Sequence, residues 1–361
     1  MLIKKLTLEN FRNYEEETFA FTEGLNVLTG KNAQGKTNCA EAVFYLCTGA
    51  SPRSRRDKQL IRHGCEFAEI SATAEGRYGE VEISAKIFEN SREVKINGNK
   101  ITRNADILGN IYSVFFSPHE LRLIQDGPDE RRRFLNVSIS QLSKPYFVAL
   151  SRYNKILEQR NNLLKNRDLE MVFETLPVWD EQLCKYAATI AFKRAEFISM
   201  LSPVAAEIHS DLTGGGEELK ISPEKKYKGT EKELSEKLFN ELSANYERDI
   251  RLGFTASGPH RDDLDIEING TDAKTFASQG QTRTAALSIK LAEVEIFKTI
   301  SGEYPVLILD DVMSELDLPR RKKLVARTGG LQTILTCTHA ERVLYGRTVK
   351  KIMIENGKIK D

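Results

Sequence analysis

The chain has 361 residues, a formal net charge of +1 at pH 7 and 29% charged residues. That length accommodates one large domain or two smaller ones, and the even charge balance excludes a globally basic DNA-coating protein, leaving only a local patch for any nucleic-acid contact. No apolar run is long enough to cross a bilayer, and the opening Met1-Leu2-Ile3-Lys4-Lys5 reads as a charged strand and not a secretory signal, so a cytoplasmic location and no membrane partner are expected.

An opening strand over residues 2–8 leads into Asn10-Phe11-Arg12-Asn13-Tyr14. The β-prone run 25–29 then enters Gly30-Lys31-Asn32-Ala33-Gln34-Gly35-Lys36-Thr37, a complete phosphate-binding loop. Its two glycines let the backbone turn tightly, so that successive N–H groups face a β- or γ-phosphate. Lys36 is placed to reach the terminal phosphates, and the Thr37 hydroxyl to ligate Mg²⁺. Residues 38–46 are helix-compatible and put a positive helix end against the anion. ATP and Mg²⁺ are the expected cofactors.

A basic cluster follows: Arg53, Arg55, Arg56, Lys58, Arg62 and His63. Such charges suffice for sequence-independent contact with DNA phosphates, without a base-reading helix. No aromatic residues stand among them as a stacking platform, which favours duplex over single strands. Runs 67–75, 81–88 and 92–96, with turns at 76–79 and at Asn97-Gly98, predict an antiparallel sheet layered on the nucleotide-binding core.

Residues 116–250 change character. Apolar residues recur at three-to-four spacing from Leu142 to Leu164 and from Trp179 to Ile208, predicting two antiparallel helices joined by residues 166–177. Gly214-Gly215-Gly216 breaks the pattern before a third helix over 231–250. Further basic residues lie at Arg131-Arg132-Arg133, either a DNA face or a brace where the two lobes join. Others run along Arg152, Lys155, Arg160, Lys165 and Arg167.

The α/β part, 1–115, is expected to resume at 251 and run to 361. Ser278-Gln279-Gly280-Gln281 precedes a long helical run, 282–299. Val306-Leu307-Ile308-Leu309 is an apolar strand ending in Asp310-Asp311. Two carboxylates at the C-terminal end of a buried strand are how such folds hold Mg²⁺ and a water. Asp310 is assigned to the metal and Asp311 to polarising the attacking water. Ser314-Glu315-Leu316-Asp317 follows, then a β-run, 333–338, ahead of His339. The cysteines, Cys39, Cys47, Cys65, Cys184 and Cys337, are odd in number, lack metal-ligand spacing and read as reduced core thiols.

Together these motifs resemble the ABC-type ATPase heads. The expected fold is therefore α/β, a phosphate-loop core with an antiparallel β layer, plus an inserted helical lobe. In that family a Ser-x-Gly-Gln signature at a helix N-terminus serves the nucleotide held by the other protomer, which suits free N–H groups at a positive dipole end. The resemblance implies that Ser278, Gln279, Gly280 and Gln281 bind nucleotide across an ATP-dependent head-to-tail dimer. It makes His339 a γ-phosphate switch, alongside Lys36 and Asp311 as catalytic groups, and residues 314–317 an interface loop. The Asn10–Tyr14 opening is similar to SMC-like proteins, in which Arg12 and Asn13 touch the phosphates.

Ser257-Gly258-Pro259-His260-Arg261-Asp262-Asp263, Phe116-Ser117-Pro118 and the stretch 127–135 narrow the resemblance to the RecF family of bacterial recombination mediators, over essentially the whole chain. That resemblance implies DNA repair and replication, a clamp on DNA near single-strand gaps, slow hydrolysis that releases it, and mediator proteins and recombinase as partners. Two departures stand out. No convincing glutamine loop stands between the phosphate loop and the signature, Gln125 matching by rough position alone, and Asp311 replaces the Glu usual in transporters. Competing readings are a transporter motor subunit, a non-hydrolysing dimerising scaffold, and an SMC-like nuclease head.

Overall fold

A computed structural model describes residues 1–54, 56–166, 169–338 and 349–360. The first stretch of chain forms β1 (Leu2–Glu9), β2 (Glu16–Ala20), β3 (Leu25–Thr29), α1 (Lys36–Thr48), β4 (Phe67–Gly76), β5 (Gly79–Phe88), β6 (Arg92–Ile96), β7 (Asn99–Lys100) and β8 (Ser113–Phe116). A mainly helical stretch follows, with α2 (Arg122–Gln125), α3 (Pro128–Leu142), α4 (Lys144–Leu163), α5 (Leu169–Thr213), β9 (Leu219–Pro223), α6 (Glu231–Ala244), α7 (Tyr246–Leu252), β10 (Leu264–Ile268), β11 (Thr271–Asp272) and α8 (Ala273–Phe276). The chain then forms α9 (Gln279–Ser301), β12 (Val306–Asp310), α10 (Leu318–Arg327), β13 (Thr333–Cys337), β14 (Lys350–Glu355) and β15 (Lys358–Lys360).

Two compact units result. The first comprises 1–121, 208–217 and 278–361, the second 122–207 and 218–277. The first holds two six-stranded sheets, ordered β2-β1-β4-β5-β6-β7 and β15-β14-β3-β13-β12-β8. Every pairing in the former is antiparallel. In the latter, β14, β3, β13, β12 and β8 run parallel. Strands β3, β12 and β13 are apolar runs buried on both faces, as a parallel sheet demands. Helix α1 packs against both sheets, touching β4 and β5 on one and β8, β12 and β13 on the other. Its burial explains why Ala40 to Cys47 is an almost unbroken apolar stretch.

The second unit carries a three-stranded sheet, β11-β10-β9, among its helices. Residues 251–277, expected with the α/β part, belong here because β10 pairs antiparallel with β9, Ile266 opposite Ile221. The expected link at 166–177 is also much shorter: α5 begins at Leu169 and takes Pro177 inside it. Pro177, the ninth residue of α5, forfeits one backbone bond, and the burial of Val172 and Leu176 carries the helix across it. The third predicted helix breaks at Asn245 into α6 and α7. Within this unit Arg160 is fully buried, donating to Asp180 at 2.5 Å and to Asp249 at 2.7 Å. It holds the interior together and offers nothing to DNA, contrary to its place in the predicted basic face.

Candidate nucleotide-binding site

The phosphate loop sits where β3 hands over to α1. Gly30 has φ +142°, and a Cβ there would lie 2.2 Å from the Ile354 carbonyl oxygen of β14. Gly35 has φ +119°, and a Cβ would lie 2.7 Å from the Tyr14 hydroxyl. Both positions therefore accept only glycine. The loop is fastened from outside. Tyr14 donates to the Gly35 carbonyl (2.9 Å), Asn13 Nδ2 to the Gln34 carbonyl (3.0 Å), and the Gly357 N–H to the same carbonyl (3.0 Å). Lys31, Asn32 and Ala33 are exposed at the tip, Ala33 in the left-handed region at φ 63°.

Lys36 is nearly buried and donates to the carbonyls of Gly30 (2.7 Å) and Lys31 (2.8 Å). Burial lowers its pKa, while Asp311 and Asp310 pull the other way. An ammonium held among loop carbonyls is poised for a stronger anionic acceptor. Thr37 Oγ1 donates to Asp310 Oδ1 at 2.8 Å, and Thr336 Oγ1 of β13 donates to the same atom at 2.7 Å. Burial raises the Asp310 pKa, and the two threonines only partly offset it. A desolvated carboxylate beside a threonine hydroxyl suits a hard divalent cation. Among the described residues no cluster of three His, Cys, Asp or Glu forms a protein-only metal cage. Asp311 is exposed and left-handed (φ 54°), with its N–H on Thr336 and its carbonyl on the Ser314 hydroxyl.

Arg12 does not stand free for phosphate. Its Nε and Nη2 reach Glu41 at 3.0 and 2.8 Å, and its Nη1 reaches the Gln59 carbonyl at 2.8 Å. Asn13 is likewise used at both ends, accepting from Asn38 Nδ2 at 2.7 Å. Glu41 is buried and also accepts from Ser51 Oγ (2.5 Å) and from Arg53, which holds Asn38 Oδ1 too. Burial alone would raise the Glu41 pKa, but Arg12 and Arg53 hold it below the usual carboxylate value. The sequence reading missed Glu41. The available signal was an acid inside an otherwise apolar helix, which requires a buried cationic partner.

Of the other basic-patch residues, Arg56 is exposed, Lys58 faces Glu89 at 3.4 Å and Arg62 faces Glu15 at 3.1 Å. Arg55 and His339 lie outside the described residues. Arg131 is buried against Asp263 at 2.6 Å, an internal brace of the second unit. His260 of the Ser257–Asp263 motif is half-buried in that unit between Tyr153 and the Thr255 carbonyl, its pKa pushed down to about 4 by desolvation. The candidate Gln125 ends α2 and is exposed.

Ser278 caps α9. Its Oγ accepts the Gln281 N–H (3.3 Å), and Gln281 Oε1 accepts the Ser278 N–H (2.9 Å), a closed capping box. Ser278, Gln279 and Gly280 are all exposed. Arg283, one turn on, pairs with Glu315 at 2.6 Å, tying the signature helix to the loop after Asp311.

Comparison with known proteins agrees with this geometry. A family model described as the RecF/RecN/SMC N-terminal domain matches residues 2–360. The chain is 42% identical to the DNA replication and repair protein RecF of Clostridium acetobutylicum, over 94% of this chain and 93% of that one. The chain belongs to the RecF family. The RecF of Clostridium botulinum is 38% identical over the full length of both chains. A solved structure of the recombination mediator protein RecF with ATPrS, from the RecFOR pathway, superposes with a TM-score of 0.90 at 35% identity, covering 99% of this chain and 97% of that one. The Smc head domain of Pyrococcus furiosus shares the fold at 17% identity and a TM-score of 0.59. The RecF-family fold is thus an ABC-type ATPase head, as the motif order implied. Among the described residues no helix is long and apolar enough to cross a membrane.

Proposed function

We propose that the chain is an ATP-dependent DNA-binding protein of recombinational repair and replication, acting as a slow, DNA-dependent ATPase. The contact that carries the ATPase reading is Thr37 Oγ1 to Asp310 Oδ1, 2.8 Å across 273 residues of sequence. It joins the phosphate loop to the acidic strand end, the pairing on which Mg²⁺-dependent phosphoryl transfer relies. The names of its relatives and the nucleotide-bound RecF structure support the biological reading.

ATP supplies the phosphoanhydride, and Mg²⁺ the charge that offsets its oxygens. Thr37 and Asp310 are the residues that would hold the metal. Lys36 brings the cation, the loop N–H groups bind phosphate oxygens, and Asp311 orients the water. Ser278, Gln279 and Gly280 lie exposed at a helix N-terminus with Gln281 half-buried behind them, which supports the service of all four to a second copy in a head-to-tail dimer. Arg53, Arg55, Arg56, Lys58 and Arg62 would contact DNA phosphates, in duplex or at a gap junction, with no base readout. Arg53 reaches that role only by sharing itself with Glu41. Such a dimer switches its hold on DNA because DNA and ATP both favour the closed state. Mediator proteins and a recombinase are its partners on this reading.

Mixing two inactive variants tests composite sites. Lys36→Ala and Ser278→Arg are each expected to lose hydrolysis, yet their mixture contains dimers with one intact site and regains part of it. Absence of recovery at every ratio, with both variants folded, overturns the dimeric mechanism.

A further inference from the structure

The start of α9 is, on the proposal above, presented to a second copy, and the family resemblance places the loop 314–317 that leads into α10 at the same interface. Arg283 and Glu315 tie them directly. Two further ties come from residues 208–217, which belong to this unit although the chain on both sides of them belongs to the other. His209 is fully buried and bridges with both ring nitrogens. Its Nδ1 lies 3.2 Å from Ser288 Oγ on α9, and its Nε2 lies 3.2 Å from Glu217 Oε2. Ser288, itself fully buried, donates to the Thr284 carbonyl at 2.7 Å, so the imidazole is anchored to the backbone of α9 one turn beyond the signature. Two residues later, Asp211 Oδ2 accepts from Arg327 Nε at 3.2 Å and Nη2 at 2.9 Å, and the Asp211 carbonyl accepts from Lys323. Arg327 and Lys323 lie on α10.

Ten residues therefore grip the signature helix with one side chain and the helix after the interface loop with another. A buried imidazole is a costly way to fill space, since its nitrogens must be desolvated and re-paired. What it adds over an apolar residue is a fixed register, because directional bonds resist the sliding that apolar contacts allow. We infer that residues 208–217, through His209 and Asp211, set the position of the signature helix relative to the loop 314–317. They are positioning residues for a nucleotide site on the other copy. The inference rests on the composite-site proposal.

The test separates action on the protein's own nucleotide from action on its neighbour's. In full-length His209→Ala, ATP affinity of the separate protomer is expected to stay within about twofold of the parent, while ATP-driven dimerisation and hydrolysis fall about tenfold. Mixed with Lys36→Ala, it should regain hydrolysis, because its own phosphate loop then meets an intact signature. Asp211→Asn, at the surface, serves the same tests should the buried change prevent folding. If Lys36→Ala recovers with Ser278→Arg but not with the His209 or Asp211 variant, the inference is overturned and these residues act within one protomer. If neither mixture recovers, the composite site itself fails and takes the inference with it. Unchanged dimerisation in both variants also overturns it.

Discussion

Glu41→Gln keeps the shape of the side chain and removes its charge. In the parent, three arginine N–H groups and one serine hydroxyl converge on a carboxylate with no exposed surface. Hydrogen bonds to a charged acceptor are worth roughly 1 kcal/mol more each than neutral ones. Arg12 and Arg53 keep 22% and 39% of their side-chain surface in water, and solvent screening discounts the sum. A loss of about 2 kcal/mol is expected. For a unit of this size that corresponds to ~4–8 °C in the unfolding midpoint. The assay is thermal unfolding of nucleotide-free protein across pH. The Glu41 pKa is held below 4.5, so its contribution is complete above that value and is lost only as pH falls through the folded value. The gap between parent and variant should be level from about pH 8 to about pH 6 and close only in acid. A midpoint unchanged at neutral pH, or a gap that already narrows above about pH 6, would refute the charge-pairing argument.

Gly30→Ala should abolish nucleotide binding, since its Cβ meets the Ile354 carbonyl at 2.2 Å, whereas Gly24→Ala, with φ +77° and open space, should cost only about 1 kcal/mol and leave binding intact. Fluorescent-nucleotide titration of both separates loop geometry from general strain. Asp310→Asn should leave the nucleotide-free midpoint unchanged or higher, because burial raises the Asp310 pKa and the charged form therefore costs stability above 3.8. The same variant should lose Mg²⁺-dependent ATP affinity, and a lower midpoint would contradict the burial argument. His260, with its pKa pushed down to about 4, should remain neutral in NMR titrations well below the ordinary 6.5. Its partial burial in the neutral form makes stability rise with pH between those two values, so a His260 signal, assigned by its loss in His260→Gln, that titrates near 6.5 would contradict the placement.

What the sequence disclosed was local. The phosphate loop, the apolar strand ending in Asp310-Asp311 and the Asn97-Gly98 hairpin each carry their signal within a dozen residues, and β3, β12 and β6 lie where that signal put them. What it hid depends on distant pairing. Residues 264–268 look like any strand of the α/β part until β9, some forty residues earlier, is seen to pair with them. Pro177 reads as a helix breaker, yet the burial of Val172 and Leu176 holds the helix around it. Arg12 and Arg53 look like free cations beside a phosphate site, because an acid inside an apolar helix calls for a cationic partner without saying which one. Charge is visible in a sequence, but neutralisation is a property of the fold.

The wall against Gly30 has one more consequence. It is the carbonyl of Ile354, and Gln34 is held by the backbone N–H groups of Asn356 and Gly357. The motif at 30–37 emerges early from a ribosome, but the strand that completes its pocket is translated more than three hundred residues later. During synthesis the motif is present without its far wall. A polypeptide halted before residue 350 carries every consensus residue of the loop and still lacks the surface that shapes it. A chain ended before residue 350 is therefore expected to be retained less well on an ATP-affinity column than one that includes β14, although both carry the motif.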